Sequence, residues 1–175
     1  MTVVAVLGVP ACDTSPPTPP SKSPLADAGA PAYADLIVSY SENGIAETCT
    51  ESIPSICQVQ EGPCAGHPVL GAPDSVTHQL VDEDTIEVGF LCNPIIDRAV
   101  DSNLSPDFRV LAVVQQGQAV VSASQDGSTF FALGNLNTDN QSFDLANEQL
   151  DFARFVQIAG EPGAVIVIDA VEVIP

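Results

Sequence analysis

The fold class is decided by one stretch, DFRVLAVVQQGQAVVSASQDGSTFFAL, which spans residues 107–133. It contains three apolar, β-branched runs, at 107–114, 118–125 and 128–133. Alternating runs of this length, separated by turn residues, are typical of β-strands. The glycines of QQG and QDG supply the positive φ that a tight turn needs, so we predict hairpin-like junctions at both places.

The same pattern recurs on both sides of this stretch, while only residues 141–150, QSFDLANEQL, favour a helical turn. About eight strands separated by turns predict an all-β fold, an antiparallel β-sandwich of jelly-roll type. We expect one domain, residues 33–175, without internal repeats. The further predicted strands are 34–41, 75–81, 85–91, 152–159 and 164–174.

Several segments occur in an order that resembles a known family. AVVSASQDGSTFFALG is followed by FDLANEQLDFARFVQI and then by IDAVEVI. This order resembles the discoidin-like, galactose-binding-like β-sandwich domains of bacterial cell-surface proteins, and it covers roughly residues 34–174. The resemblance implies a surface-exposed sandwich and raises carbohydrate binding as a function. In that family a compact I-x-D-G-x-G-x-D-F turn precedes the DF strand, whereas here RAVDSNLSP separates Asp97 from Asp107.

The amino terminus indicates export. Residues 1–11 are apolar, too short to span a bilayer, and end in small residues before Cys12, as in a secretory signal. VPAC resembles the lipobox of bacterial lipoproteins, and this resemblance implies that Cys12 is the lipidated first residue of the mature chain. Residues 12–32 are rich in Pro and Ser, which favours an extended tether between anchor and domain.

The charge is strongly acidic, with 23 Asp and Glu against 4 Lys and Arg and a formal net charge of −19. Such a surface repels phosphate backbones and anionic lipid, so we expect no nucleic-acid partner and membrane contact only through the lipid anchor. The acidic residues are scattered between apolar runs, which indicates a solvated surface or, as the alternative, divalent cation binding.

Four cysteines remain after Cys12: Cys49, Cys57, Cys64 and Cys92. An even number in an exported chain predicts two disulfides, and the spacing leaves all three connectivities open. Zinc is the rival interpretation, but the close Cys-x-x-Cys pairs that are typical of zinc sites are absent from the sequence.

Calcium is the cofactor that the residue types favour, and we expect it to be structural. Asp101, Asn103 and Asp107 alternate in DSNLSPD, close to Asp97, and oxygen-rich loops suit hard cations. An ordinary Asx-rich turn is the simpler interpretation of these residues, so calcium binding by the acidic loops stays open. A second acidic loop has EF-hand-like spacing but carries Ser142 where that motif needs Gly; its candidate ligands are Asn137, Asp139, Gln141 and Glu148.

The sequence contains no G-x-S-x-G elbow, and we predict no catalytic residues and no enzyme activity. His67 lies in a Gly- and Pro-rich loop, and we expect His78 to be a half-exposed strand residue. Asp169 lies within an apolar run, where a buried carboxylate needs a partner. We therefore predict a structural ion pair with Arg154, the alternative being an Asp169 exposed at the sheet edge.

Three functions are compatible with these patterns. The first is a non-enzymatic, lipid-anchored surface domain that acts by binding or assembly, with an extracellular glycan or protein as its partner. The second is a carbohydrate-binding module, for which the absence of Trp and the presence of only two Tyr give little support. The third is a subunit of an extracellular polymer that uses strand 164–174 as an edge template. The ligand and the oligomeric state stay open.

Overall fold

The computed structural model describes residues 32–42, 44–49, 64, 67–97 and 105–174. The predicted signal segment and nearly all of the tether lie outside these residues, as do four of the predicted site residues, Cys12, Cys57, Asp101 and Asn103. Within the described part of the chain, no helix is long and apolar enough to cross a membrane.

The described residues form an all-β fold of thirteen strands with one 3₁₀ helix, Leu145–Glu148. All the predicted strands are present, and the helical turn falls inside 141–150 as expected. Sequence periodicity missed the short strands at 32–33, 45–48, 95–96 and 142–143, and the predicted strand 152–159 is divided into two strands at Arg154. The strands are β1 (Ala32–Tyr33), β2 (Leu36–Glu42), β3 (Ile45–Thr48), β4 (His78–Val81), β5 (Thr85–Gly89), β6 (Ile95–Ile96), β7 (Phe108–Gln116), β8 (Ala119–Ser124), β9 (Phe131–Leu136), β10 (Ser142–Phe143), β11 (Phe152–Ala153), β12 (Phe155–Gly160) and β13 (Val165–Val173).

Two antiparallel sheets form the layers of the sandwich. One has six strands in the order β3-β2-β5-β12-β8-β9. The other has five, with β1, β13, β7 and β10 in order and β4 also paired to β13. A small ladder joins β11 to β6. The buried core draws apolar side chains from both layers, including Ile86 and Val88 of β5 and Ile166 and Ile168 of β13, all 0% exposed. Each such side chain contributes about 1.5–3 kcal/mol when fully buried.

The QQG junction does not form the predicted hairpin. Strand β7 pairs with β13 and β10, whereas β8 pairs with β12 and β9, so the turn at Gly117 carries the chain from one sheet to the other. Gly117 does have the expected positive φ of 68°. The QDG junction is a true hairpin, because β8 and β9 are antiparallel neighbours across Gly127. Local turn chemistry is the same in both cases, and the choice of pairing partner decides between a hairpin and a sheet change.

Strand β13 lies inside its sheet and is not an edge. It pairs with β7 over Val165–Val173 on one side, and with β4 and then β1 on the other. The register with β7 shifts between Ile168 and Ala170, which leaves Asp169 as an extra residue in the manner of a β-bulge. The terminal strand therefore offers no open template along its length for a neighbouring copy.

A disulfide joins Cys49 to Cys64 and belongs to the buried core. It ties the end of β3 to the segment that leads into His67. This bond confirms one disulfide; Cys57 lies outside the described residues, and Cys92 is half-buried with its N–H donated to Asp35 Oδ2 at 2.7 Å.

Removing this disulfide is expected to destabilise the fold. The bond closes a loop with a sequence separation of 15, and loss of such a crosslink costs about 2–3 kcal/mol through the entropy of the unfolded chain. We expect the double variant Cys49→Ala/Cys64→Ala to lose this amount in urea unfolding. Thr48→Ala, an exposed neighbour on β3, serves as the control and should change stability by less than about 0.5 kcal/mol. An equal effect of both variants would contradict the prediction.

Candidate functional site

Three carboxylates meet where three strands end. Asp97 follows β6, Asp107 precedes β7, and Asp144 follows β10. One oxygen of each carboxylate lies within 4.8 Å of the corresponding oxygens of the other two. Asp107 and Asp144 are buried, at 1% and 8% exposure, and Asp97 is half-buried. The three residues form an acidic cluster, called the acidic pocket below, of which Asp97 is the least buried member.

Backbone hydrogen bonds hold the three positions. The Asp97 N–H donates to the Asp151 carbonyl at 3.0 Å, and the Asp107 N–H donates to the Phe143 carbonyl at 2.9 Å. Strand pairing places Phe143 opposite Phe108, and their rings stack with centroids 5.5 Å apart. Asp107 and Asp144, which directly adjoin this pair, are therefore brought together by the β7–β10 ladder.

Amides at the start of the 3₁₀ helix donate hydrogen bonds to one oxygen of each of the two buried carboxylates. Asp144 is the N-cap, and its Oδ1 accepts from the Ala146 N–H at 2.8 Å. Asp107 Oδ2 accepts from the Leu145 N–H at 2.9 Å. These bonds satisfy amide groups that a helix start leaves unpaired. The second oxygen of Asp144, Oδ2, is buried and has no hydrogen-bond partner among the described residues.

The structure brings together two of the four predicted calcium ligands, Asp97 and Asp107, and adds Asp144. Sequence reasoning missed Asp144 because it lies far along the chain from DSNLSPD. The available signal was an Asp directly before a predicted helical turn, the usual N-cap position.

Two of the candidate ligands in the EF-hand-like loop accept hydrogen bonds from backbone amides. Gln141 Oε1 accepts from the Asn137 N–H at 3.0 Å, and Asp139 Oδ1 accepts from the Val114 N–H at 2.8 Å. These oxygens are used within the turn and against β7, which agrees with the Asx-rich turn alternative.

A second cluster contains three rings. Tyr40 of β2 lies 4.9 Å from His67 and 5.5 Å from His78 of β4, and the two histidine rings are 5.0 Å apart, measured between centroids. His78 is only 7% exposed, so the expectation of a half-exposed residue was wrong. Its alternating position on β4 faces the core, and sequence alone did not specify which face of this strand is covered. The Nε2 atom of His78 is buried without a hydrogen-bond partner among the described residues.

Both histidines are held neutral by their surroundings. Burial, together with the neighbouring His78, lowers the pKa of His67 to about 4. Burial also lowers the pKa of His78, although Glu42 and Asp84 act in the opposite direction. Close packing of two imidazoles disfavours a charge on either ring.

A groove of about 240 Å³ lies on the outside of the second sheet beside the Asp169 bulge. Its lining combines Leu111, Val113 and Val167 with the polar side chains of Asn140 and Asp169. None of its lining residues is aromatic, so this groove offers no ring on which a sugar would stack.

The predicted ion pair between Arg154 and Asp169 is not formed. Arg154 lies between β11 and β12, whereas Asp169 is on β13 in the other sheet, so the two strands are not neighbours. Asp169 accepts instead from the Asp74 N–H at 3.3 Å and is half-exposed at the bulge. The described ion pair joins Arg109 to Glu172 at 2.7 Å, across the β7–β13 ladder.

The ring cluster predicts a loss of stability in acid. The folded-state pKa of His67 is about 4, below its ordinary value of 6.5, so folding releases a proton between these values. The stability that the neutral His67 ring contributes is therefore fully present above pH 6.5, and it is lost as the pH falls towards 4. We test this with His67→Phe, which keeps a ring against Tyr40. Over this interval its free energy of unfolding should fall by roughly 1–2 kcal/mol less than that of the wild type.

The comparison is made by urea unfolding of both proteins from pH 7 to pH 4. The remaining carboxylates titrate in both chains, so the difference between the two profiles isolates His67. If the two profiles run parallel, protonation of His67 does not affect the free energy of unfolding and the prediction is wrong.

Comparison with known proteins assigns no function, so any proposal must be argued from the sequence and the structure. No protein-family model, no curated protein and no solved structure matches this chain. The family resemblance therefore depends on the order of its short motifs, and the antiparallel β-sandwich stands on the structure alone.

Proposed function

We propose that this protein is a non-enzymatic, lipid-anchored protein of the bacterial cell surface that acts by binding or assembly through its β-sandwich. The observation that carries the proposal is the buried Cys49–Cys64 disulfide. Disulfides persist in oxidising compartments outside the cytoplasm. The bond therefore supports export, which is also what the lipobox-like sequence before Cys12 predicts.

The start of the sandwich fits display on a tether. The first described strand, β1, pairs with Glu172 and Val173 at the end of β13, so the chain is anchored to the second sheet from Ala32 onward. The Pro-rich composition of residues 12–31 favours an extended spacer before this point. The order of the strand motifs supports assignment to the galactose-binding-like subclass of sandwiches.

The electrostatics favour partners that are not anionic. A formal net charge of −19 with only 4 Lys and Arg keeps the domain soluble and repels nucleic acid and anionic lipid headgroups. The described Arg109 is already paired with Glu172. We therefore expect a partner whose contact surface is neutral or positively charged.

The anchor is tested by intact mass of the protein from its native membrane fraction, before and after reduction. We expect a mature chain that begins at Cys12 and carries diacylglycerol and acyl mass. Cys12→Ser should remain unprocessed and lose the lipid mass, whereas the control Ser21→Ala, in the same tether, should behave as the wild type. A wild-type chain that starts at Met1 with free thiols would refute export and anchoring together.

Assembly is a second candidate, and the ends of the six-stranded sheet favour it. Strands β3 and β9 are the terminal strands of this sheet as described, and each exposes a large apolar side chain. Ile45 on β3 is 66% exposed, and Phe131 on β9 is 40% exposed. Unpaired edge strands with apolar side chains can pair with a strand of another chain. We therefore expect β3 of one copy to pair with β9 of the next.

Sedimentation of the full chain over a range of concentrations tests this assembly. We expect concentration-dependent association that Ile45→Lys and Phe131→Lys each abolish, because charge on an edge strand opposes pairing. Val76→Lys is the matched control, since Val76 is 55% exposed but lies in no strand. A monomer at every concentration, or equal loss in all three variants, would exclude assembly through these edges.

A further inference from the structure

The acidic pocket of Asp97, Asp107 and Asp144 contains one group that the described residues leave without a partner. Asp144 is 8% exposed, and its Oδ2 has no hydrogen-bond partner among the described residues. Its other oxygen is already committed to the Ala146 N–H. A buried carboxylate oxygen without a partner is costly, and proteins normally resolve this with a hydrogen bond, a paired charge or a metal.

The surroundings of Asp144 add to this cost. Its carboxylate shares the pocket with those of Asp97 and Asp107, with ligand oxygens within 4.8 Å of one another. Like charges at this separation repel one another, and more strongly where water is excluded. No described Lys, Arg or His forms an ion pair with Asp144. A cation of higher charge at the centre of the three carboxylates removes both costs at once.

We propose that Asp97, Asp107 and Asp144 bind a calcium ion. All three donors are carboxylate oxygens, the ligands that hard cations prefer, and the group contains neither nitrogen nor sulfur to favour zinc or copper. Two oxygens on opposite sides of a calcium ion, each at about 2.4 Å, are about 4.8 Å apart. The separations in the pocket therefore accommodate one ion that contacts all three carboxylates.

Calcium fits this pocket better than magnesium. Asp107 and Asp144 each commit one oxygen to an amide of the 3₁₀ helix, so their carboxylates are held in orientations set by the fold. Calcium accepts six to eight oxygens in irregular geometry, whereas magnesium requires a near-ideal octahedron. Asp97 is half-buried, which leaves a side through which water molecules complete the coordination.

The ion would join parts of the chain that have few other links. Strands β6 and β10 have two residues each, and their ends carry Asp97 and Asp144. Calcium would connect both to the start of the long strand β7 through Asp107. The proposal goes beyond the surface function and does not depend on the lipid anchor, because it concerns the sandwich alone.

Thermal unfolding and calorimetric titration of the full chain, purified in detergent and freed of divalent ions with EDTA, test the site. Extracellular calcium modules bind with a Kd of about 10⁻⁴–10⁻³ M. We expect 10 mM CaCl₂ to raise Tm by about 3–6 °C and the titration to give one ion per chain. The same concentration of MgCl₂ should produce less than half of this rise.

Asp144→Asn is the decisive variant. Asn keeps the oxygen that caps the 3₁₀ helix, so the turn is retained while the charge is lost. In EDTA its Tm should equal or exceed that of the wild type, because a repulsive buried charge has been removed. The calcium-induced rise should disappear. Asp139→Asn is the matched control, an exposed residue of the neighbouring loop, and should keep the full response.

Three results would overturn the proposal. A wild-type Tm that is the same in EDTA and in calcium, with no heat of binding, would mean that the pocket is compensated without a cation. An undiminished response in Asp144→Asn would place calcium elsewhere. A magnesium response as large as that of calcium would reject the assignment to calcium. None of these outcomes bears on the mass of the anchored chain, so the surface function is judged separately.

Discussion

The pairing of β13 on both sides is the interaction on which the second sheet depends. Among the described strands its ladder with β7 is the longest, and β4 and β1 join the sheet there only through their pairing with β13. The strand begins with four consecutive β-branched apolar residues, Val165–Ile168, which suits a central strand covered on its core face and flanked on both edges. Without its pairing to β13, β4 would lose its place in the sheet and the ring cluster would lose His78.

The acidic pocket depends on the same sheet. Strand β7 is held by β13, and the Asp107 carbonyl accepts from the Ile174 N–H just beyond the end of β13. On its other side β7 pairs with β10, which Asp144 directly follows. The positions of two of the three carboxylates therefore follow from strand registers. A shift of one residue would move Phe108 from the core face of the sheet to the other face and would take Asp107 out of its position beside Asp144.

Two regions of the described chain contain little regular secondary structure, and we assign a different source of stability to each. The disulfide ties the end of β3 to the segment before His67, where periodic apolar residues are few. At the acidic pocket, two-residue strands and a 3₁₀ helix meet around buried carboxylates. The covalent crosslink supplies stability that such segments cannot gain from apolar burial, and the calcium ion that we propose would do the same at the acidic pocket. Both would suit the exported domain that we propose.

The sequence by itself determined the fold class, the long strands and the helical turn, because period-2 apolar runs and turn residues are local signals. It also determined that Asp97 and Asp107 belong to one acidic region, since they flank the same loop. Only the tertiary structure decided that Asp144 joins them, that Gly117 ends a strand by changing sheets, and that Arg154 and Asp169 lie in different layers. The reason is physical: strand pairing and burial are set by contacts between residues far apart in the chain, and no local pattern specifies which partner a strand will find.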